Sequence, residues 1–348
     1  MPLKVGNKSS FHTNRIIEID IKQLQVDCYE VLCNLRNLKI LITGCSGLLG
    51  NYLSILLISS NHRFNLNLDI TCTSRGELPK SLMLYKNKFK YLKGDLTDLS
   101  IISQLEYYDC IFHLAGDAQP KLFISDPELT TKINTEVVLK LLSRCNPEGS
   151  FLFISSSEVY KNLESEQITE DMVGSVSPNH PRAAYVFSKL LGENFCLLEL
   201  DKGKKNIKII RLSMVYGPGV SIDDTRAISQ FLYHAIFRDK IYLMDHGRAV
   251  REYLYISDAI RALLNALLLG KEQIYNVGSG ISGSITIAKV AQELGKLSRK
   301  KVEFPKLDLD LLGASEYVHM DITRYENEFG PIMESDRRKH SLLRCSPH

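Results

Sequence analysis

Tyr185 and Lys189 stand four residues apart in the stretch PRAAYVFSK (181–189). Side chains four apart on a helix share a face, so this spacing places a phenol beside an ammonium. A neighbouring cation favours the ionised phenol and lowers its pKa, which would suit Tyr185 to proton transfer with Lys189 as its tuner. The same pair also fits a half-buried helix whose lysine reaches solvent, so the rest of the chain must decide between the two interpretations.

A glycine-rich turn follows the first apolar, strand-like run. LKILITG (38–44) leads into TGCSGLLG, where Gly44, Gly47 and Gly50 are spaced three apart. Glycines at such a turn let the backbone approach a pyrophosphate, whose charge faces the N-terminus of the next helix. A plain tight turn explains one glycine more easily than three. The segment therefore predicts a dinucleotide-binding turn.

Polar residues also follow the next two strand-like runs. Ser74 and Arg75 come after the second run, where a site that prefers NAD would carry an acidic residue for the ribose. A hydroxyl followed by a guanidinium suits a 2′-phosphate instead, which makes NADP plausible. Asp95 follows the third run and could accept a hydrogen bond from an adenine amino group. A simple turn explains each of these residues when it is taken alone.

Small residues and hydroxyls follow the fourth and fifth runs. HLAG (113–116) ends in the small residues Ala115 and Gly116, so a dinucleotide could lie close to this strand end. The stretch SSSEVY (155–160) brings two hydroxyls, a carboxylate and a phenol, carried by Ser156, Ser157, Glu158 and Tyr160. Its position after the fifth run and before YVFSK matters, because order and context support a motif.

The elements that must position these residues alternate between strand and helix. This alternation predicts a right-handed, mostly parallel sheet covered on both faces, a Rossmann-type doubly wound α/β fold. Ligands of such sheets bind at the carboxyl ends of the strands, where the strand order reverses. The predicted strands are 38–44, 68–74, 88–96, 109–116, 150–157 and 206–217, and the main predicted helices are 126–145 and 183–200.

The composition is that of an ordinary globular chain of 348 residues, 44% hydrophobic and 24% charged. A net charge of +3 argues against an extended nucleic-acid surface, which needs a concentrated basic face. No apolar stretch reaches membrane-spanning length and the N-terminus lacks a signal-peptide core, so we expect a cytoplasmic protein without a membrane partner. Eight cysteines without a CxxC pair favour reduced, mostly buried thiols and no metal site.

Taken together, nine stretches in order resemble the extended short-chain dehydrogenase/reductase family, and more narrowly its nucleotide-sugar epimerases, 4,6-dehydratases and decarboxylases. The resemblance covers about residues 38–330 and implies transient oxidation of the sugar at C4 with tightly bound NAD or NADP. The nucleotide-activated sugar would be the substrate. The stretches are TGCSGLLG, GDLTD, HLAG, Asn134, SSSEVY, YVFSK, RLSMVYGPG, GRAVREYLYISD and YNVGSG.

The resemblance also implies a role for each catalytic candidate. Tyr185 would take the proton from the sugar 4-hydroxyl, and Lys189 would lower the pKa of Tyr185 and hold the nicotinamide ribose. Ser156 would hydrogen-bond the same hydroxyl. Once C4 is a ketone the C5 proton is acidified, and Glu158 could then remove it, unless Glu158 is a surface glutamate satisfied by water.

The binding residues implied by the resemblance form two sets. For the cofactor they are Gly44, Ser46, Gly47, Leu48, Leu49, Gly50, Ser74, Arg75, Asp95, Leu96, Leu114, Ala115, Gly116, Asn134 and Ser155, together with Tyr185 and Lys189. For the substrate they are Ser157, Tyr160, Met214, Arg226 and Arg251.

The resemblance leaves the reaction open. The loop GPGVSIDDTRAISQFL, with Arg226, is similar to the UDP-glucuronate decarboxylase branch. The triplet before Val159 lacks the Asp that one dehydratase class uses, Met214 stands where many relatives carry Asn or His, and Lys161 replaces the usual glycine. A ketosugar reductase using free NADPH and a non-enzymatic dinucleotide sensor are the further alternatives.

Four segments are expected along the chain. Residues 1–36 form an N-terminal extension, predicted helical, with Asp20 as a candidate N-cap. Residues 37–217 form the NAD(P)-binding domain with the Ser, Tyr and Lys, 218–333 mainly a substrate-binding lobe, and 334–348 a basic tail. A homodimer is expected through the helices carrying NTEVVLKLL and YVFSKLLGENFCLL.

Overall fold

A computed structural model describes residues 8–163, 165, 167–203, 205–221, 223–306 and 319–332, with side chains from residue 15 onward. The predicted basic tail, 334–348, lies outside the described residues. Twelve strands are described within these ranges. They are β1 (Lys39–Thr43), β2 (Asp69–Ser74), β3 (Lys90–Lys93), β4 (Tyr108–His113), β5 (Cys145–Ser156), β6 (Asn206–Leu212), β7 (Met214–Tyr216), β8 (Lys240–Tyr242), β9 (Val250–Tyr255), β10 (Ile274–Val277), β11 (Ser284–Thr286) and β12 (Lys301–Glu303).

A seven-stranded parallel sheet runs through the centre in the order β10-β6-β5-β4-β1-β2-β3. The strand order reverses between β1 and β4, so the predicted doubly wound fold is confirmed. Along β1, Ile40 and Ile42 pack into one buried cluster and Leu41 into another. Successive strand residues point to opposite faces, and the apolar core therefore lies on both sides of the sheet.

Helices cover both faces of this sheet and also pack in the smaller layer that is built mainly after residue 217. They are α1 (Lys8–Asp27), α2 (Tyr29–Cys33), α3 (Leu48–Phe64), α4 (Lys80–Met83), α5 (Leu99–Ser103), α6 (Pro120–Ser125), α7 (Pro127–Asn134), α8 (Glu136–Leu142), α9 (Ala183–Leu200), α10 (Ala227–Phe237), α11 (Ile256–Leu269), α12 (Gly280–Gly283), α13 (Ile287–Ser298) and α14 (Thr323–Phe329), with a 3₁₀ helix at Ser157–Tyr160.

The N-terminal extension packs against the main sheet domain as a helical layer. α1 lies on α3 and α11, and its apolar side is buried at Ile17, Ile21 and Leu24. Asp20 is not an N-cap: it lies in the middle of α1, buried, and accepts hydrogen bonds from Tyr52 (3.3 Å) and Tyr255 (2.7 Å). Because α1 covers the outer side of α3, the apolar run of α3 is buried on nearly every side.

Two predicted elements are divided in the structure. The predicted strand 206–217 breaks at Ser213, so that β6 stays in the large sheet and β7 joins a three-stranded sheet in the order β11-β9-β7. The predicted helix 126–145 breaks at Thr135, whose φ of −124° and ψ of −79° are not helical. This break ends α7 at Asn134, which places that side chain beside the strand ends described below.

The segment after residue 217 forms most of a second, smaller layer. β7, β9 and β11 make one small sheet, β8 pairs with β12, and α10 packs against α13. β10 and α11 return to the large sheet, although they belong to the predicted lobe 218–333. The division of the chain at residue 217 stays a prediction.

Three negative findings concern the described residues. Their seven cysteines form no disulfide with one another, and all except Cys33 are buried. No helix among them combines the length and apolar character needed to cross a membrane. No cluster of three or more His, Cys, Asp or Glu side chains in this part of the chain could hold a metal ion.

Candidate active site

The glycine turn between β1 and α3 is built for close backbone approach. Gly44 has φ of +71°, and a Cβ there would lie 2.7 Å from the Ala115 Cα. A Cβ on Gly50 would collide with the Gly44 carbonyl oxygen. Gly47 is the N-cap residue of α3 and offers no side-chain hydrogen bond, and the neighbouring Ser46 is exposed. Backbone N–H groups of the turn therefore face outward at the helix N-terminus. An anion such as a pyrophosphate fits this position.

A buried histidine holds the ends of β1 and β4 together. The Thr43 hydroxyl accepts hydrogen bonds from the backbone N–H groups of Leu114 and Ala115, both at 3.1 Å. His113 Nδ1 lies 2.9 Å from the same hydroxyl, and its Nε2 lies 3.2 Å from the Ile133 carbonyl. Burial, and then the charge of Lys189, lowers the pKa of His113 to about 3. A neutral His113 thus fixes the strand ends without carrying charge.

Asn134 presents an acceptor atom beside Gly116. Its Nδ2 donates to the Ser188 hydroxyl at 3.0 Å, whereas its Oδ1 is buried and has no hydrogen-bond partner among the described residues. A Cβ on Gly116 would lie 3.7 Å from this Oδ1 and 3.8 Å from Lys189 Nζ. The half-open strand end at Leu114–Gly116 therefore meets an ammonium and a free acceptor, which a dinucleotide with hydroxyl groups fits.

Tyr185 is buried under an aromatic ring. Phe123 of α6 stacks on it with ring centroids 4.3 Å apart and an interplanar angle of 15°. Burial raises the pKa of the phenol to about 12, although a hydrogen bond with Ser156 acts in the opposite direction. Burial therefore keeps the pKa of Tyr185 above its ordinary value of 10, and the lowering expected from Lys189 stays a prediction.

Lys189 faces the same pocket one helical turn further along α9. Its Nζ donates to the Ile154 carbonyl at 2.7 Å and lies 5.8 Å from the centroid of the Tyr185 ring. Burial lowers the pKa of Lys189 to about 8, while the charge of Glu193 acts in the opposite direction. The two side chains share one face as the spacing predicted.

Glu158 is held by an arginine in the 3₁₀ helix that follows β5. The Ser156 hydroxyl caps this helix by accepting from the Glu158 backbone N–H at 3.2 Å. Arg182 Nη1 donates to Glu158 Oε1 at 2.8 Å. The other oxygen, Oε2, is buried without a hydrogen-bond partner among the described residues. Glu158 is therefore not a surface glutamate satisfied by water.

Two further arginines approach the pocket from the small lobe. Arg226 forms a two-sided ion pair with buried Asp224, its Nη2 lying 2.6 Å from Asp224 Oδ2. Arg251 donates to the Val250 carbonyl at 2.7 Å, and burial lowers its pKa. Tyr253, in register with Met214 across β9 and β7, has a buried hydroxyl without a hydrogen-bond partner among the described residues.

Four predicted binding side chains point elsewhere. The Ser74 hydroxyl lies 2.7 Å from the Tyr91 hydroxyl, so it is not placed for a 2′-phosphate. Ser155 is buried and hydrogen-bonded to Glu193, and Leu96 packs in the core. Tyr160 is 2% exposed and bonds Asn276 and Arg211, so it is a core residue and not a substrate contact.

The remaining cofactor candidates lie at the strand ends with partners of their own. Arg75 pairs with Asp117 at 2.9 Å across the loops after β2 and β4. Asp95 Oδ1 accepts from the backbone N–H (2.9 Å) and the hydroxyl (2.8 Å) of Thr97. Leu48 and Leu49 open α3 half-buried, and Ser157 opens the 3₁₀ helix.

Sequence reasoning missed three residues that shape the pocket: Phe123, His113 and Arg182. Arg182 lies inside the stretch PRAAYVFSK, three residues before Tyr185, and this spacing was the signal that could have identified it. Phe123 and His113 carried none, because an apolar residue and a histidine at these positions are equally typical of a core.

Comparisons with known proteins agree with this geometry. The sequence profile described as the NAD dependent epimerase/dehydratase family matches residues 40–278. UDP-glucuronic acid decarboxylase 1 of Xenopus tropicalis is 27% identical over 258 residues, which is 74% of this chain and 60% of the relative. The chain thus spans about three fifths of that relative's length.

Two further proteins show the same similarity. UDP-glucuronic acid decarboxylase 6 of Arabidopsis thaliana is 26% identical, with 87% of this chain and 89% of the relative covered. The structure of UDP-glucuronic acid 4-epimerase from Bacillus cereus, in complex with UDP-glucuronic acid and NAD, has a TM-score of 0.71 at 21% identity. It covers 88% of this chain and 98% of that one, which shows a shared fold.

Proposed function

The chain belongs to the NAD-dependent epimerase/dehydratase family, and from that membership we propose that it modifies a nucleotide-activated sugar through transient oxidation at C4. The observation that carries the proposal is one pocket at the reversal of strand order. There Ser156 hydrogen-bonds Tyr185 and Lys189 Nζ lies 5.8 Å from the centroid of the Tyr185 ring, while Lys189 and Asn134 both lie beside Gly116 after β4. Isomerase and lyase chemistry both begin from this step.

The pocket fits NAD. The cradle at Gly44 and Gly50 would take the pyrophosphate, and Asn134 Oδ1 offers an unpartnered acceptor beside Lys189. When bound, NAD would supply a positively charged nicotinamide ring that accepts the hydride from C4 of the sugar. With the Ser74 hydroxyl turned to Tyr91, the 2′-phosphate of NADP lacks the hydroxyl partner that was expected.

Proton transfer at the 4-hydroxyl is assigned to Tyr185. Burial raises the pKa of this phenol to about 12, so a neighbouring positive charge that lowers it would favour its role as a base. Ser156 would align the sugar hydroxyl, and the ammonium of Lys189 stabilises the phenolate.

Decarboxylation of a UDP-glucuronate-like substrate is the second candidate, favoured by the charges around Glu158. Burial lowers the pKa of Lys161, and Arg182 and Arg251 lower it further while Glu158 raises it, so three cations act on one carboxylate. Such a surplus suits a sugar that carries a C6 carboxylate besides its diphosphate. The decarboxylases of frog and plant, similar along most of this chain, support the same choice.

The test is product analysis without added nicotinamide. The purified protein is incubated with UDP-, GDP-, dTDP- and CDP-sugars, including UDP-glucuronate, and products are identified by mass spectrometry and NMR. Loss of carbon dioxide indicates decarboxylation, loss of water dehydration, and unchanged mass with altered NMR couplings epimerisation. In a parallel incubation with added NADPH, stoichiometric consumption of the NADPH would contradict the proposal, and so would no conversion of any sugar.

A cytoplasmic homodimer is proposed for the assembly. α8 and α9 pack together and leave large apolar side chains exposed, namely Leu139, Phe187, Leu191 and Leu198. Two copies could bury this surface against each other. Light scattering of the wild type against Leu191→Glu tests it: a dimer that becomes a monomer supports the proposal, and a monomeric wild type contradicts it.

A further inference from the structure

Arg182 lies at the entrance of α9, three residues before Tyr185, as its N-terminal flanking residue. Its side chain is 7% exposed, and the carboxylate it bonds, Glu158, is 27% exposed. A buried guanidinium at this depth costs desolvation energy, which a charge-assisted hydrogen bond of 2.8 Å offsets. The pair is therefore fixed in position by its surroundings.

The two oxygens of Glu158 are treated differently. Oε1 accepts from Arg182, whereas Oε2 is buried without a hydrogen-bond partner among the described residues. A carboxylate held for structure alone would be expected to have both oxygens bonded, because an unpartnered buried acceptor is costly. Oε2 is thus available for a proton or hydroxyl from a bound molecule.

Arg182 also touches the wall that covers the phenol. Its guanidinium carbon lies 5.8 Å from the ring centroid of Phe123, and this ring stacks on Tyr185 at 4.3 Å. Both Glu158 and Arg182 act electrostatically on the Tyr185 phenol. Arg182 therefore contacts the Glu158 carboxylate on one side and the Phe123 ring on the other.

We propose that Arg182 is a positioning residue that fixes Glu158 with Oε2 facing the sugar, for the step after C4 oxidation and not for the oxidation itself. This inference rests on the proposed function. A C5 proton acidified by the C4 ketone would pass to Oε2, or a protonated Oε2 would return it to C5. The planar fork of an arginine fixes the carboxylate direction, which the flexible ammonium of a lysine does not.

The experiment separates the two steps with Arg182→Met, Arg182→Lys and Glu158→Gln. Single-turnover absorbance reports reduction of the bound nicotinamide, and product formation reports the whole reaction. In Arg182→Met we expect product formation to fall by about 10²-fold, the size of a small misplacement of a catalytic group. Reduced nicotinamide and a 4-keto sugar should accumulate, with KM and cofactor content unchanged.

Two comparisons exclude a merely structural effect. Arg182→Lys should recover part of the product formation, and the double variant with Glu158→Gln should be no slower than the slower single variant, because the two act as a unit. Arg324→Met removes a partly buried arginine that pairs with Asp171 at 3.2 Å, and this matched control should react like the wild type.

Four outcomes would overturn the inference. Arg182→Met forming product at the wild-type rate would remove Arg182 from the reaction. Nicotinamide reduction slowed as much as product formation would assign Arg182 to the first step. Should Arg182→Met fail to fold, Arg182→Lys with both rates unchanged would be equally negative. A wild type that reduces no nicotinamide with any sugar would refute the proposed function, and this inference with it.

Discussion

Helix α9 carries two polar regions one turn apart, and they differ in how their hydrogen bonds are satisfied. Glu193 is bonded by Arg211 through Nε at 3.1 Å and Nη2 at 2.7 Å, and by Ser155. Arg211 Nη1 donates to the Tyr160 hydroxyl at 2.9 Å, and this hydroxyl donates to Asn276 Oδ1 at 2.7 Å. Every charged group named in this network has a partner.

The region around Tyr185 and Lys189 contrasts with that network. Asn134 Oδ1, Glu158 Oε2 and the Tyr253 hydroxyl are buried there without hydrogen-bond partners among the described residues. Buried polar atoms are nearly always bonded in folded proteins, so open ones beside the catalytic candidates favour a ligand that completes the bonding there. The same helix therefore serves as framework at Glu193 and as reaction surface at Tyr185.

The largest expected effect is on activity. Tyr185→Phe removes the hydroxyl group but keeps the aromatic ring that stacks on Phe123. Turnover should fall by about 10³-fold or more, within the range of acid–base catalysis. Thermal unfolding should be nearly unchanged, because the ring remains packed. Product formation by mass spectrometry is the measurement, and turnover retained in this variant would remove Tyr185 from the mechanism.

The reverse pattern is expected at the framework. Arg211→Met leaves Glu193 charged, buried and unpaired, which should cost about 3–5 kcal/mol of unfolding free energy. Urea unfolding measures this loss. Turnover per folded molecule should stay near the wild-type value at low temperature, and a collapse of turnover with unchanged stability would erase the distinction between the two regions.

Glu252 is an intermediate case, because its oxygens are hydrogen-bonded but form no ion pair within the part of the chain that the structure describes. Its oxygens accept from the backbone N–H groups of Met320 (2.7 Å) and Gly280 (3.2 Å), and burial raises its pKa from 4.5 to about 7. Between these values the folded state keeps a proton that the unfolded state has released. Stability should therefore fall by about 3 kcal/mol as pH rises through this window and level off above it.

Glu252→Gln tests this expectation, since an amide does not titrate. Urea unfolding of the wild type and the variant across the same pH range should show the decline in the wild type and a flatter curve in the variant. Equal slopes in both proteins would place the pH dependence elsewhere.

The smallest expected effect concerns Tyr160. Tyr160→Phe deletes a hydroxyl that bonds Arg211 and Asn276, and should cost about 1–2 kcal/mol of unfolding free energy. KM for the sugar nucleotide should not change, because the side chain lies in the core. A higher KM for the sugar nucleotide with unchanged stability would show that Tyr160 contacts the substrate, as the sequence predicted.

Sequence patterns predicted the parts of the site that depend on backbone spacing. Gly44, Gly47 and Gly50 fall at the strand-to-helix turn, and Tyr185 and Lys189 share a helix face, because such features follow from local geometry. Ser155 and Tyr160 were misassigned because their partners, Glu193 and Asn276, lie far away in sequence. A motif indicates that a hydroxyl is present near a strand end but not which side of the backbone it faces.

The fold was predictable from the sequence to a similar extent. Alternating apolar runs located the strands of the large sheet up to β6, and the reversal of strand order followed. The breaks at Ser213 and Thr135 were not predictable, because no proline or glycine marks either one. Both breaks arise from packing: one sends β7 to another sheet, and the other places Asn134 beside Lys189.

The docking of α1 has a consequence for how the chain matures during synthesis. Asp20 accepts a hydrogen bond from Tyr255, a partner 235 positions later, and α1 rests on α11. α1 therefore completes its packing only after the residues up to α11 have emerged from the ribosome. Until then Ile17, Ile21 and Leu24 are covered without α11, and a chain stalled before Tyr255 presents the rest of this apolar side to chaperones or to other nascent chains.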